Sequence, residues 1–162
     1  MINILMSTKN IDLSCNELKT QIIGGAMIRP IVKDTIFLSQ KSEPATEKDI
    51  QVVFDLIDTL HAHAHECVGM AANMIGVKKR IIVFSIDVAQ ITMINPIITK
   101  KSKPYTAEEG CLSLSGVRKT TRYEEIEVSF QDINFKQQRQ KYSGWIAQII
   151  QHEIDHCNGI LI

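Results

Sequence analysis

Towards its C-terminal end the chain reads Gln151-His152-Glu153-Ile154-Asp155-His156, and this stretch narrows what the chain can fold into more than any other. The residues before it, Gly144-Trp145-Ile146-Ala147-Gln148-Ile149-Ile150, are largely apolar and contain no proline. The pattern predicts one helix from about Ser143 to Cys157, with Ser143 as N-cap and Asn158-Gly159 as the stop. At about 3.6 residues per turn, His152 and His156 stand one turn apart on one face, where two imidazoles can reach one metal ion, and Glu153 lies beside them. An H-E-x-x-H stretch of this kind supplies two ligands and an adjacent general base. Trp145 and Ile149 extend the histidine face, and Ile146, Ile150 and Ile154 occupy others, so the helix is expected to be buried and central. The alternative is a core helix with two hydrogen-bonded histidines, which must bury two imidazoles and a carboxylate with partners for all three.

A catalytic metal takes three protein ligands and keeps a position for water. Only Cys157 to Ile162 follow His156, and Cys157 points about 100° around the helix, so the third ligand is expected upstream. The helix must then dock against a distant segment. Cys111, in Glu108-Glu109-Gly110-Cys111-Leu112-Ser113, is the best candidate, because a thiolate binds Fe or Zn strongly and Gly110 frees the backbone to present it. A lone cysteine is more often a core residue; the helix's need for an upstream ligand reverses those odds. Cys15, Cys67 and Cys157 stand apart with no C-x-x-C pair, which argues for individual roles in a reducing compartment.

The remaining chain supports one domain. With 162 residues it can bury a real core, and its net charge of zero with dispersed Lys and Arg recommends neither nucleic acid nor an acidic membrane as partner. No apolar run reaches membrane-spanning length and Met1 to Met6 lack a secretion signal, so a cytoplasmic protein is expected. Residues 1–26 are polar and mixed and read as a flexible extension; the domain is placed at 27–162, and Met27 can be read as its start. Thr46 to Asp49 reads as the cap of an amphipathic helix through Ile50, Val53, Phe54, Ile57 and Leu60. The run His61-Ala62-His63-Ala64-His65 then suits a solvated helix end better than a metal site. Cys67 to Gly76, with small residues at Gly69, Ala71 and Ala72, reads either as a cleft wall or as a tight packing corner. Strands are expected at 80–86 and 91–96, a loop at Thr99 to Lys103 closed by Pro104, a half-exposed strand at 125–131, a turn at Asp132 to Asn134, and a hairpin partner from Phe135 to Tyr142. The expected fold is α+β: antiparallel sheets packed around a central metal-binding helix.

Three segments taken together resemble the peptide deformylase family, whose motifs are G-x-G-x-A-A-x-Q, E-G-C-x-S and Q-H-E-x-D-H. The second and third stand unbroken here as Glu109-Gly110-Cys111-Leu112-Ser113 and Gln151 to His156, in the family's order; the likeness runs from about Met27 to Ile162 and includes Ile94-Asn95-Pro96, Arg118 and Arg122. The resemblance implies removal of the N-formyl group from formyl-methionyl nascent chains, close to the ribosome, giving formate and a free amino terminus. It implies one divalent metal, Fe(II) in most of the family and replaceable by Ni, Co or Zn, on Cys111, His152 and His156. Glu153 would take the attacking water's proton and hand it to the leaving amine. The backbone N–H of Leu112 would stabilise the oxyanion. Gly69 and Met70 would line the substrate cleft, and an apolar pocket including Ile149 and other neighbours of His152 would take the methionine side chain.

The first motif departs from the family pattern twice, with Cys67 in place of its first glycine and Met74 in place of its glutamine. The glutamine donates a hydrogen bond to the developing oxyanion and a thioether cannot, so slow turnover is expected, since one lost oxyanion donor costs on the order of 10²–10³. Family members often carry a further C-terminal helix or strand, and ribosome docking through such a tail is not expected here. Two other functions fit the same residues: a non-catalytic deformylase-like metal-binding protein, and a hydrolase of another N-acylated substrate.

Overall fold

The computed structural model describes residues 27–162; the expected extension at 1–26, with Cys15, lies outside them. Among the described residues, three α-helices, α1 (Thr35–Leu38), α2 (Ile50–Ala62) and α3 (Gly144–Cys157), stand with five strands, β1 (Gly69–Ala71), β2 (Ile81–Ile86), β3 (Ala89–Cys111), β4 (Leu114–Gln131) and β5 (Gln137–Ser143). The strands form one antiparallel sheet in the order β1-β2-β3-β4-β5, so the expected α+β class holds with one sheet where several were anticipated.

The apolar run of β2 is buried on both faces, and alternation sends its side chains into two cores. Ile81 and Val83 meet Val53, Leu56 and Leu60 of α2, whereas Ile82 and Phe84 meet Ala147, Ile150 and Ile154 of α3. Helix α3 thereby packs on β1, β2, β4 and β5. It begins and ends where the sequence predicts, although the Ser143 side chain makes no capping bond. Gly159 follows at φ +72, where a Cβ would stand 2.3 Å from the Ser39 carbonyl oxygen, so only glycine lets the chain leave α3 against α1. Trp145 is the exception to the buried helix: it is 62% exposed. The Thr46 cap is present, with the Asp49 carboxylate accepting from the Thr46 N–H at 2.8 Å, and a short 3-10 turn, Glu47–Asp49, precedes α2.

The expected loop is also corrected. Thr99 to Pro104 is not a loop but the middle of β3, which runs on to Cys111 against β4. Beyond Ile94 strand β3 pairs only with β4, so there it is an edge, and an edge tolerates a proline that has no N–H to give. Cross-strand charges hold the exposed stretch, with Lys103 against Glu125 and Lys100 Nζ 3.6 Å from Glu127. Pro96 falls inside a register break between Ile94 and Ile97. There Asn95, at φ +54, accepts from the Ala45 N–H at 2.7 Å and donates to its carbonyl at 2.9 Å, tying the chain before α2 to the sheet. Among the described residues no helix is long and apolar enough to cross a membrane.

Candidate active site

The long β3–β4 hairpin carries Cys111 to the face of α3. One ligand atom from each of Cys111, His152 and His156 falls within 4.8 Å of the others, the sole such metal-capable group among the described residues. The Cys111 sulfur is 3.2 Å from His156 Nε2, and the two imidazoles meet edge to face with centroids 5.0 Å apart. His152 directs Nδ1 to Glu109 Oε2 at 2.9 Å, which leaves Nε2 for the shared centre. Leu112, in the turn between β3 and β4, lines the cleft beside Cys111.

Behind His152 lies a network that motif reading did not assign. Arg122 is buried and forks onto both oxygens of Glu109, at 2.8 and 2.7 Å, and its remaining nitrogen donates to Asp155 Oδ2 at 2.6 Å. Glu109 and Asp155 sit inside the two unbroken motifs, but their pairing through Arg122 exists only once β4 and α3 are packed. Burial raises the Glu109 carboxyl, yet hydrogen bonds from Arg122 and His152 outweigh it and hold the group down at about 2. Burial also disfavours a charged His152, but its contacts with Cys111 and Glu109 prevail and lift it to about 10. His156, deeply buried and next to His152, is pushed down to about 3, so its ring is neutral with a lone pair to give.

Glu153 is buried, and burial raises its carboxyl to about 7. Its Oε2 has no hydrogen-bond partner. Gly69 explains how the carboxyl fits: a Cβ there would lie 2.7 Å from Glu153 Oε1 and 2.8 Å from Ile149 Cγ2. A cysteine sulfur and two imidazoles converging beside a partnerless buried carboxyl fit a divalent ion with a water-accepting side, which three mutually satisfied core residues would not.

The cleft in front of these groups has a volume of about 680 Å³. Gly69 and Met74 line it, and so does Cys67, whose thiol burial pushes up to about 12, with Glu153 adding to the effect. Met70 does not line it: alternation along β1 turns its fully buried side chain into the core shared with α2. The Cys67 to Gly76 stretch is thus cleft wall and packing corner at once. Of the histidine run, His61 and His65 are exposed and His63 meets Glu66 at 3.0 Å, but His65 and Glu66 also form part of the cleft lip.

Three side chains able to share one metal ion, an adjoining buried carboxyl and an open cleft are the arrangement of a metallohydrolase of the H-E-x-x-H kind, with the third side chain drawn from a strand. The family model for polypeptide deformylase matches residues 28–162. A peptide deformylase of Clostridium beijerinckii is 61% identical over 136 residues, spanning 84% of this chain and 100% of its own. One of Pelotomaculum thermopropionicum is 41% identical over 122 residues, 75% and 78% of the respective chains. Among solved structures, the class I type b peptide deformylase from Acinetobacter baumannii with Met-Ala-Ser bound matches at a TM-score of 0.76 and 26% identity, covering 84% of this chain and 97% of that one. The enzyme from Thermotoga maritima matches at 0.75 and 29%, covering 85% and 95%. The chain belongs to the polypeptide deformylase family, metal-dependent hydrolases that remove the formyl group from N-terminal methionine.

Proposed function

We propose that residues 27–162 act as one catalytic domain that removes the formyl group from the formylmethionine heading newly made polypeptides, in the cytoplasm and near the ribosome. The observation that carries this reading is the buried, partnerless Glu153 carboxyl beside Cys111, His152 and His156 at the floor of the cleft. Those three residues would hold one divalent ion, Fe(II) in the first instance, with Zn, Ni and Co as substitutes. Such an ion supplies Lewis acidity, polarising the formyl carbonyl and making a bound water acidic. Glu153 takes the water's proton as attack proceeds and returns it to the methionine nitrogen as the C–N bond breaks. A carboxyl raised to about 7 is matched to that exchange near neutral pH. Leu112 offers its backbone N–H to the carbonyl oxygen. Gly69 lets the peptide approach Glu153 closely, and Met74, without a donor, leaves the oxyanion with one hydrogen bond fewer.

Met74 also favours two other readings, a metal-binding protein without turnover and a hydrolase of another N-acyl group, and the buried base argues against the first. The test is formate release from a formyl-methionyl tripeptide by protein loaded anaerobically with Fe(II), beside Glu153→Gln. Slow release that falls at least about a thousandfold in the variant, with metal content kept, supports the assignment. No release from metal-loaded wild type overturns it, and a panel of acetylated and other acylated peptides then decides between the two remaining readings.

A further inference from the structure

The face of α3 that lines the cleft runs from His152 back through Ile149 and Gln148 to Trp145. Three of these suit an apolar side chain, but Gln148 does not. Its side chain is held from behind: the Tyr105 hydroxyl, on β3, donates to Gln148 Oε1 at 2.9 Å. The Tyr105 phenol is the donor in this contact, and burial, with Glu124 and Glu109, raises it above its ordinary value. With its carbonyl engaged, the Gln148 amide nitrogen makes no hydrogen bond among the described residues and stands at the cleft as an oriented, unspent donor. It projects about one helical turn, roughly 6 Å, from His152. The sulfur of a formylmethionine lies a comparable distance from its formyl carbon.

We propose that Gln148, clamped by Tyr105, is a specificity-determining donor in the first-side-chain pocket and reads the sulfur position, so that peptides headed by methionine sulfoxide are accepted ahead of methionine and of norleucine. This rests on the deformylase reading, which puts the first side chain in that pocket. A sulfoxide oxygen is a strong acceptor, a thioether a weak one, and the methylene of norleucine none. A pocket with a positioned donor discriminates against a side chain that leaves the donor unpaired. Oxidised formyl-methionyl chains would then remain substrates.

Trp145 is the chain's single tryptophan and lies in the same cleft, so its fluorescence follows peptide binding without any turnover. Deformylated tripeptides headed by methionine sulfoxide, methionine or norleucine are titrated into Zn-loaded protein, and the three formylated peptides are assayed with Fe(II)-loaded protein. The sulfoxide peptide should bind about three- to tenfold tighter than the norleucine peptide, the value of one neutral hydrogen bond. That ratio should fall to one or below in Gln148→Leu, and part of the way in Tyr105→Phe. An equal ratio in wild type and Gln148→Leu overturns the proposal. Binding with the expected ratios but no formate release from any formylated peptide leaves the donor assignment standing and overturns the deformylase reading instead.

Discussion

Behind His152 the cleft wall is a relay of charges, Arg122 to Glu109 to imidazole, with Asp155 on the far nitrogen of the same arginine. The other wall is lined by Gly69 and Met74, from a segment that is buried from Gly69 to Ile75 and apolar but for Asn73, which ties it to α3 by a hydrogen bond. The first wall sets orientation by pairing, and the second sets clearance by size. Damage to the first should therefore appear as lost stability and damage to the second as lost rate. That division is open to direct test.

The largest effect is expected from Arg122→Met. It takes the arginine from Asp155 and leaves Glu109 with His152 alone, and removing one member of a buried ionic network typically costs about 3–5 kcal/mol. Urea unfolding of the variant measures it. A cost below about 1 kcal/mol would mean that the charged wall is not what holds β4 to α3.

On the opposite wall, Gly69→Ala should leave metal content and fold in place while cutting kcat/KM on the order of 10²-fold. The new Cβ meets Glu153 Oε1 and Ile149 Cγ2 inside 3 Å, and displacing a base by about 1 Å is enough for a loss of that size. Parallel metal analysis and steady-state kinetics separate the outcomes. Loss of metal together with activity would erase the distinction between the walls.

How far this contrast could be read from sequence differs by wall. The helical period exposed α3 and the grouping of His152, Glu153 and His156 on it, because spacing along one helix needs no tertiary knowledge. Cys111 followed from the helix's need for a distant ligand. The joint role of Glu109, Arg122 and Asp155 stayed hidden because their pairing spans separations of 13 and 33 residues. The length of β3 was hidden for another reason: Thr99 to Lys103 is as polar as a loop, since that edge is exposed on the stretch that pairs with β4 alone. Met70 was assigned to the cleft with its neighbour Gly69, and the two-residue period of β1 sends it to the other side.

Met74→Gln sharpens the comparison by adding a donor to the donorless wall. Met74 is 2% exposed and unbranched, so an amide of similar length can occupy its place. The expected outcome is a rise of about tenfold or more in kcat with little change in KM, because the new hydrogen bond forms to the oxyanion and not to the bound substrate. The gain should vanish when Glu153→Gln is added. Unchanged kcat would show that turnover in this chain is not limited by oxyanion stabilisation.

The smallest effect is expected from Asn73→Ala, the polar tie of the apolar wall. Asn73 Nδ2 donates to the His156 carbonyl at 2.8 Å, near the end of α3, where that carbonyl also accepts from the Gly159 N–H at 3.1 Å. Its own Oδ1, however, is buried without a partner. The variant loses one hydrogen bond and also relieves one unsatisfied carbonyl, so the two changes offset and the net cost should stay below about 1 kcal/mol. Activity should hardly move, since the carbonyl belongs to the backbone of His156 and not to its ring. A cost close to that of Arg122→Met would place the tie between Asn73 and α3 on a par with the charged relay, and the two walls would then share one mode of support.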